Sequence, residues 1–275
     1  MGCPGRRPAM SFESVPLIDC APGQRAATCP GRWFRRVLVA SSAEPVEGRT
    51  AEGDESGLLL LSGTVDLEAG AGSWISRGTR PTPYQGKPVA VYLPPKTHFR
   101  ASGGRSDLLL LSARRPELPP VAEEPGRSAP LLPLAGSGKA FDRTSGSWQP
   151  IESFADSPEA ILPRRITERQ VEGAVLQTVF GPSYKALGLT LTEIVLAAAG
   201  RVTVPPADLT ASDGKYPEEW AVYYRAEQGL DCSTADRTET LAGEGVLVGS
   251  GQAVLTAGAA RVYLAAACSG PKSTT

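Results

Sequence analysis

Glu193 lies in "LTLTEIVLAA", a single carboxylate in a run of apolar residues and threonines. In a strand of a small barrel, alternation offers its side chain two environments. One is the lumen, where desolvation raises the carboxyl pKa and makes it a general base; the other is a solvated outer face. Tyr223 and Tyr224 are neighbours in "EEWAVYYR", so one of the two points inward. Tyr184, Lys185, Arg201 and Arg225 are the nearest phenol and cations that could stabilise an oxyanion or hold a carboxylate. This set describes acid/base chemistry. Glu193, Tyr223 and Tyr224 are the catalytic candidates, and Trp220, Asp208, Arg201, Tyr184 and Glu219 are the residues expected to hold a small-molecule substrate.

Other chemistries lack their residues. His98 is the single histidine, and no Ser-His-Asp or Cys-His unit builds around it. There is no P-loop and no strand–GxGxxG–helix unit. Five cysteines, Cys3, Cys20, Cys29, Cys232 and Cys268, are scattered without a C-x-x-C. They read as free thiols of a reducing cytoplasm rather than as a metal or disulfide framework.

The elements that must position these residues are short strands. The chain has 275 residues, 41% hydrophobic and 21% charged, with a net charge of -1, so a buried core is expected and global disorder is not. That charge makes no electrostatic case for nucleic acid or an anionic membrane. No apolar run approaches the roughly 18 residues of a membrane helix. "MGCPGRRPAM" lacks the apolar core of a secretory signal and reads as a partly disordered lead-in, residues 1–30. "RRVLVAS", "GLLLLSGTVDL", "KPVAVYLPP" and "DLLLLSAR" are strand-length runs within residues 31–115, the expected N-terminal barrel. Residues 116–160 are rich in Pro, Gly and Ser and read as a linker. A second strand-rich block, residues 161–270, contains "GAVLQTVF", "WAVYYRAEQG", "AVLTAG" and "ARVYLAAA". Helical periodicity is nowhere sustained, and the fold class is all-β.

An internal repeat sharpens this. "VYLPPKTHFRASG" (91–103) aligns without gaps on "VLVGSGQAVLTAG" (246–258), and Glu55 in "ESGLLLLSG" matches Glu219 in "EWAVYYRAEQG". Two copies of such a unit predict two tandem jelly-roll barrels, a bicupin.

Several stretches in order, "LLLLSGTVDL", "YQGKPVAVYLPP", "ERQVEGAVLQ", "LTEIVLAAAGRVTVPP", "EEWAVYYR" and "GEGVLVGSGQAVLTAGAARVYLAAACSGP", resemble the 5-deoxy-glucuronate isomerase family and the related uronate ketol-isomerases. The resemblance implies a bicupin with a divalent metal in the C-terminal barrel. Its His-x-His after Pro-Pro falls on Ala207 and Leu209, its ligand Glu on Glu219 or Trp220, and its last His on Ala253. Metals need three or more N, O or S donors, and this set does not supply them, so no metal or other cofactor is expected. His98 corresponds to Ala253 in the other copy. With Glu55 it is either a two-ligand remnant or an ordinary residue at a strand start. Arg169 and Gln170 match the family's "RQV", as packing or as substrate contacts.

Three readings fit these residues. The first is a metal-independent enzyme performing an isomerisation or cyclisation on a substrate more apolar than a sugar acid. The Ala- and Arg-rich, Lys-poor composition associates it with specialised metabolism in a bacterium. The second is a non-catalytic binding or accessory module, and the third is a metal-dependent sugar-acid isomerase. A small molecule is the expected partner, with no nucleic acid and no membrane, and a homo-oligomer is compatible with the residues.

Overall fold

The "LLLL" runs at 58–61 and 108–111 leave no polar face for solvent, so strands carrying them must be covered on both sides. The computed structural model describes residues 11–15, 18–20, 34–39, 45–70, 72–115, 139–142, 147–150, 158–161, 166–181, 189–206 and 219–269. Every regular element among them is a strand: β1 (Ser11–Val15), β2 (Ile18–Cys20), β3 (Phe34–Val39), β4 (Val46–Arg49), β5 (Asp54–Ala69), β6 (Gly72–Arg80), β7 (Val89–Leu93), β8 (His98–Arg114), β9 (Lys139–Asp142), β10 (Ser147–Pro150), β11 (Glu159–Ile161), β12 (Thr167–Val171), β13 (Ala174–Phe180), β14 (Leu189–Leu196), β15 (Arg201–Val204), β16 (Glu219–Ser233), β17 (Thr238–Ser250), β18 (Ala253–Ala257) and β19 (Val262–Ser269). Among the described residues no helix is long and apolar enough to cross a membrane.

Two curled sheets result. The N-terminal one runs β11-β7-β5-β8-β3-β2, with β4 on β8 and β6 on β5; the C-terminal one runs β1-β17-β16-β19-β14-β13-β12, with β18 on β16 and β15 on β18. The fold is all-β and bicupin. Curling depends on long strands that bend. The β5–β8 register shifts around Gly63, whose φ is +93°, and a Cβ there would lie 2.1 Å from the Arg105 carbonyl oxygen. Glycine is therefore required at that bulge.

Two segments expected to be irregular contribute strands. β1, from the lead-in, pairs with β17 of the C-terminal sheet, while β2 pairs in parallel with β3 of the N-terminal sheet. Within the expected linker, β9 pairs with β10, and β11 adds to β7.

Three apolar layers account for the continuous hydrophobic runs. Leu58 and Leu60 of β5 and Leu108 and Leu110 of β8 fill the N-terminal barrel. Ile194, Leu196, Trp220, Val222, Leu255 and Leu264 belong to the C-terminal barrel's interior. Between them lies a seam built from both halves, with Leu59, Leu61, Leu109 and Leu111 packed against Leu191, Ala221, Tyr263 and Ala265. Strand alternation thus sends odd and even residues of β5, β8, β14, β16 and β19 into two different cores.

Candidate functional site

Buried, mostly apolar side chains make up the described interior of the C-terminal barrel. Trp220 is 1% exposed, and its indole N–H donates to the Gly251 carbonyl at 2.9 Å. Ala253, at the position of the expected last histidine, is 1% exposed and lies in the same core as Val204, Leu247 and Leu255. Tyr224 also faces this core, and Gly245 lets its ring lie close: a Cβ there would be 2.6 Å from the phenolic oxygen. Cys232 and Cys268 are free thiols in the same layer, each pushed up to about 12 by burial. The Thr192 hydroxyl is buried without a hydrogen-bond partner.

The metal that the resemblance implies finds no ligand set among the described residues. Ala207, Leu209 and Ala253 carry no donor atom, and among the described residues no group of three His, Cys, Asp or Glu side chains could hold an ion. Glu55 and His98 do not revive it. Glu55 is fully buried, accepting from the Tyr92 hydroxyl at 2.9 Å and the Leu189 amide at 3.2 Å, while His98 is exposed at the start of β8.

Glu193 faces neither the lumen nor solvent, a correction to both environments expected for it. It points into the seam, 1% exposed, against Arg80 of the N-terminal half. The guanidinium grips the carboxylate in bidentate fashion, 2.6 Å from Oε1 and 2.8 Å from Oε2. Its remaining N–H groups donate to the carbonyls of Leu60 and Pro83, both at 2.9 Å, and Gln85 at 3.4 Å. The Tyr263 hydroxyl donates to the same carboxylate. Burial pushes the Glu193 carboxyl up and the Arg80 and Tyr263 bonds pull it back, with the net direction upward. Burial, then the Glu193 charge, holds the Tyr263 phenol well above its usual value. With both oxygens bound and 1% exposure, Glu193 is a clamp that ties the two halves together.

Tyr223 and Tyr224 part ways across the sheet. Tyr223 lies in the seam, its ring 6.1 Å from that of Tyr263, and donates to Glu244. Beside it Arg225 reaches Asp107 of the other half at 3.1 Å and Glu244 at 3.3 Å. The expected trio of Glu193, Tyr223 and Tyr224 is therefore not one site. Arg201 is exposed on β15, where Val202 and Val204 take the inward positions, so it does not reach the lumen. Asp208 and Tyr184 lie outside the described residues, as do Ala207, Leu209 and Lys185, and the side chain of Glu219 does too.

At one side the seam opens into a cleft of about 770 Å3 lined by Tyr84, Lys87, Gln170, Val175, Val195 and Arg261, among others. The Tyr84 ring separates it from the clamp, packing edge-on to Tyr263 with centroids 6.2 Å apart. Sequence reasoning missed Arg80, Tyr263 and Tyr84. The signal was the four-leucine runs, which announce a second covered face and hence a third core.

Residues 34–124 match a model described as the KduI/IolB family. No curated protein matches the chain. Among solved structures, an IolB-like protein from Salmonella typhimurium LT2 is similar at 15% identity and a TM-score of 0.62, over 88% of this chain and 85% of that one. Quercetin 2,3-dioxygenase from Acinetobacter baumannii is similar at 10% identity and a TM-score of 0.52, over 96% and 80%. At such identities the structures share the fold, that of a bicupin, and residues 34–124 are similar to the KduI/IolB family.

Proposed function

We propose that this bicupin has kept the isomerase family's fold while giving up its metal chemistry, and that it works as a metal-independent small-molecule-binding protein. One observation carries this reading: Trp220 and Ala253 are buried in the apolar core of the C-terminal barrel, with Ala253 in the same cluster as Leu255 where a ligand histidine is expected. Aliphatic and aromatic side chains at these positions offer no donors to the metal that a sugar-acid isomerase uses. The fate of Glu193 argues in the same direction. Acid/base catalysis needs a group within hydrogen-bond reach of the substrate, and this carboxylate is enclosed between Arg80 and Tyr263.

The test is metal retention. Purified protein is loaded separately with manganese, nickel, zinc or iron, desalted and analysed for bound metal. Less than about a tenth of an equivalent of each is expected, because a working three- or four-donor site holds its ion through desalting. Stoichiometric retention of any one would restore the metal-dependent isomerase.

A further inference from the structure

The cleft at the mouth of the seam has a built-in polarity. Pairing places residues of β12, β13 and β14 in cross-strand rows on one face of the sheet: Gln170 opposite Val175, which is opposite Val195, and Glu168 opposite Gln177, which is opposite Glu193. The middle of the floor is thus the half-buried pair Val175 and Val195. A cation stands at one end. Arg261 immediately precedes β19, its guanidinium held 5.4 Å over the Tyr84 ring, and Lys87 of the N-terminal half also lines the cleft. Acid and amide groups stand at the other end, on and beside the edge strand β12: Glu168, Gln170 and Glu172. Glu168 is already oriented, accepting from the Gln177 amide at 2.7 Å. From β19 across β14 and β13 to β12 are three inter-strand steps, about 14 Å in all.

We propose that this cleft is the ligand site, and that it takes a flat, amphoteric organic acid. The carboxylate meets Arg261, the apolar body lies on Val175 and Val195, and a hydrogen-bond donor at the far end meets Glu168 and Gln170. A hydroxyl-rich sugar acid suits it less well, because the two central floor positions are valines with no polar atom to offer. The proposal deepens the binding reading and rests on it, yet the two fail separately. Metal retention reports on the lumen, whereas loss of Arg261 reports on the cleft alone.

The experiment is a fluorescence titration of the full chain with 6-amino-2-naphthoate, which carries a carboxylate and an amine at opposite ends of a flat body. Saturable binding is expected, weakened by about tenfold or more in Arg261→Ala, as loss of a hydrogen bond to a charged group implies. Val175→Trp, which fills the floor, should abolish it, while Arg100→Ala, a partly exposed cation of the N-terminal sheet outside the cleft, should leave it unchanged. 2-Naphthylamine, lacking the anion, should bind weakly to the native chain. Circular dichroism on each variant checks that the fold persists; Arg261 is exposed, so its loss should not disturb it. Absence of saturable binding, equal binding by Arg261→Ala, or equal binding of 2-naphthylamine would each overturn the proposal.

Discussion

Single side chains decide what each buried position can do. A carboxylate in a sheet becomes a base, a ligand or a tie according to what faces it, and Glu193 faces Arg80 with two bonds of 2.6 and 2.8 Å. A buried pair of this kind is worth little against a well-packed apolar pair, yet breaking it from one side is costly. Arg80→Met should therefore destabilise the protein by about 3–5 kcal/mol, and adding Glu193→Leu should recover most of that loss. Denaturant unfolding of the two single variants and the double one reads this directly. A double variant no better than Arg80→Met would mean that Leu60, Pro83 and Gln85, whose carbonyls the guanidinium also serves, carry the stability instead. Trp220 is the other deciding residue: it belongs to the C-terminal core, its one polar atom spent on Gly251.

At the scale of elements, the long strands do the dividing. β5, β8, β14, β16 and β19 are each buried on two faces, so neighbouring residues serve different cores; Tyr223 and Tyr224 are the plainest case. Such strands must also bend to close a barrel, and β5 bends at Gly63. Gly63→Ala puts a methyl group against the Arg105 carbonyl in a left-handed backbone, and should cost about 1–3 kcal/mol. Gly53→Ala, where nothing lies within 4 Å, is the matched control. Equal thermal midpoints for the two variants would show that the bulge relaxes and that curvature is set elsewhere. The cleft follows from the same geometry, since β12 and β13 extend the sheet past the seam that the N-terminal half covers.

The whole molecule is two barrels fused through a third core crossed by polar ties, Arg80–Glu193, Arg225–Asp107 and Glu55 to the Leu189 amide. Tyr223 and Tyr263 in that core, and Cys232 and Cys268 in the adjoining lumen, all have burial-raised pKa values, about 12 for each thiol. The native state therefore holds protons that the unfolded chain has released above about pH 9, so stability is full below that pH and falls as pH rises toward 12. Urea midpoints should decline across this range, and the decline should be shallower in Cys268→Ala; a flat profile to about pH 11 would contradict the burial of these groups. The sequence by itself determined the strand class and the lack of donor atoms at Ala207, Leu209 and Ala253, because strand length, turn residues and donor atoms are local properties. Only the tertiary structure decided that Glu193 meets Arg80, that Tyr223 and Tyr224 face different cores, and that the open cleft lies at the seam. Those outcomes depend on what covers the second face of a strand, and that partner lies far along the chain, where neither alternation nor local composition can name it.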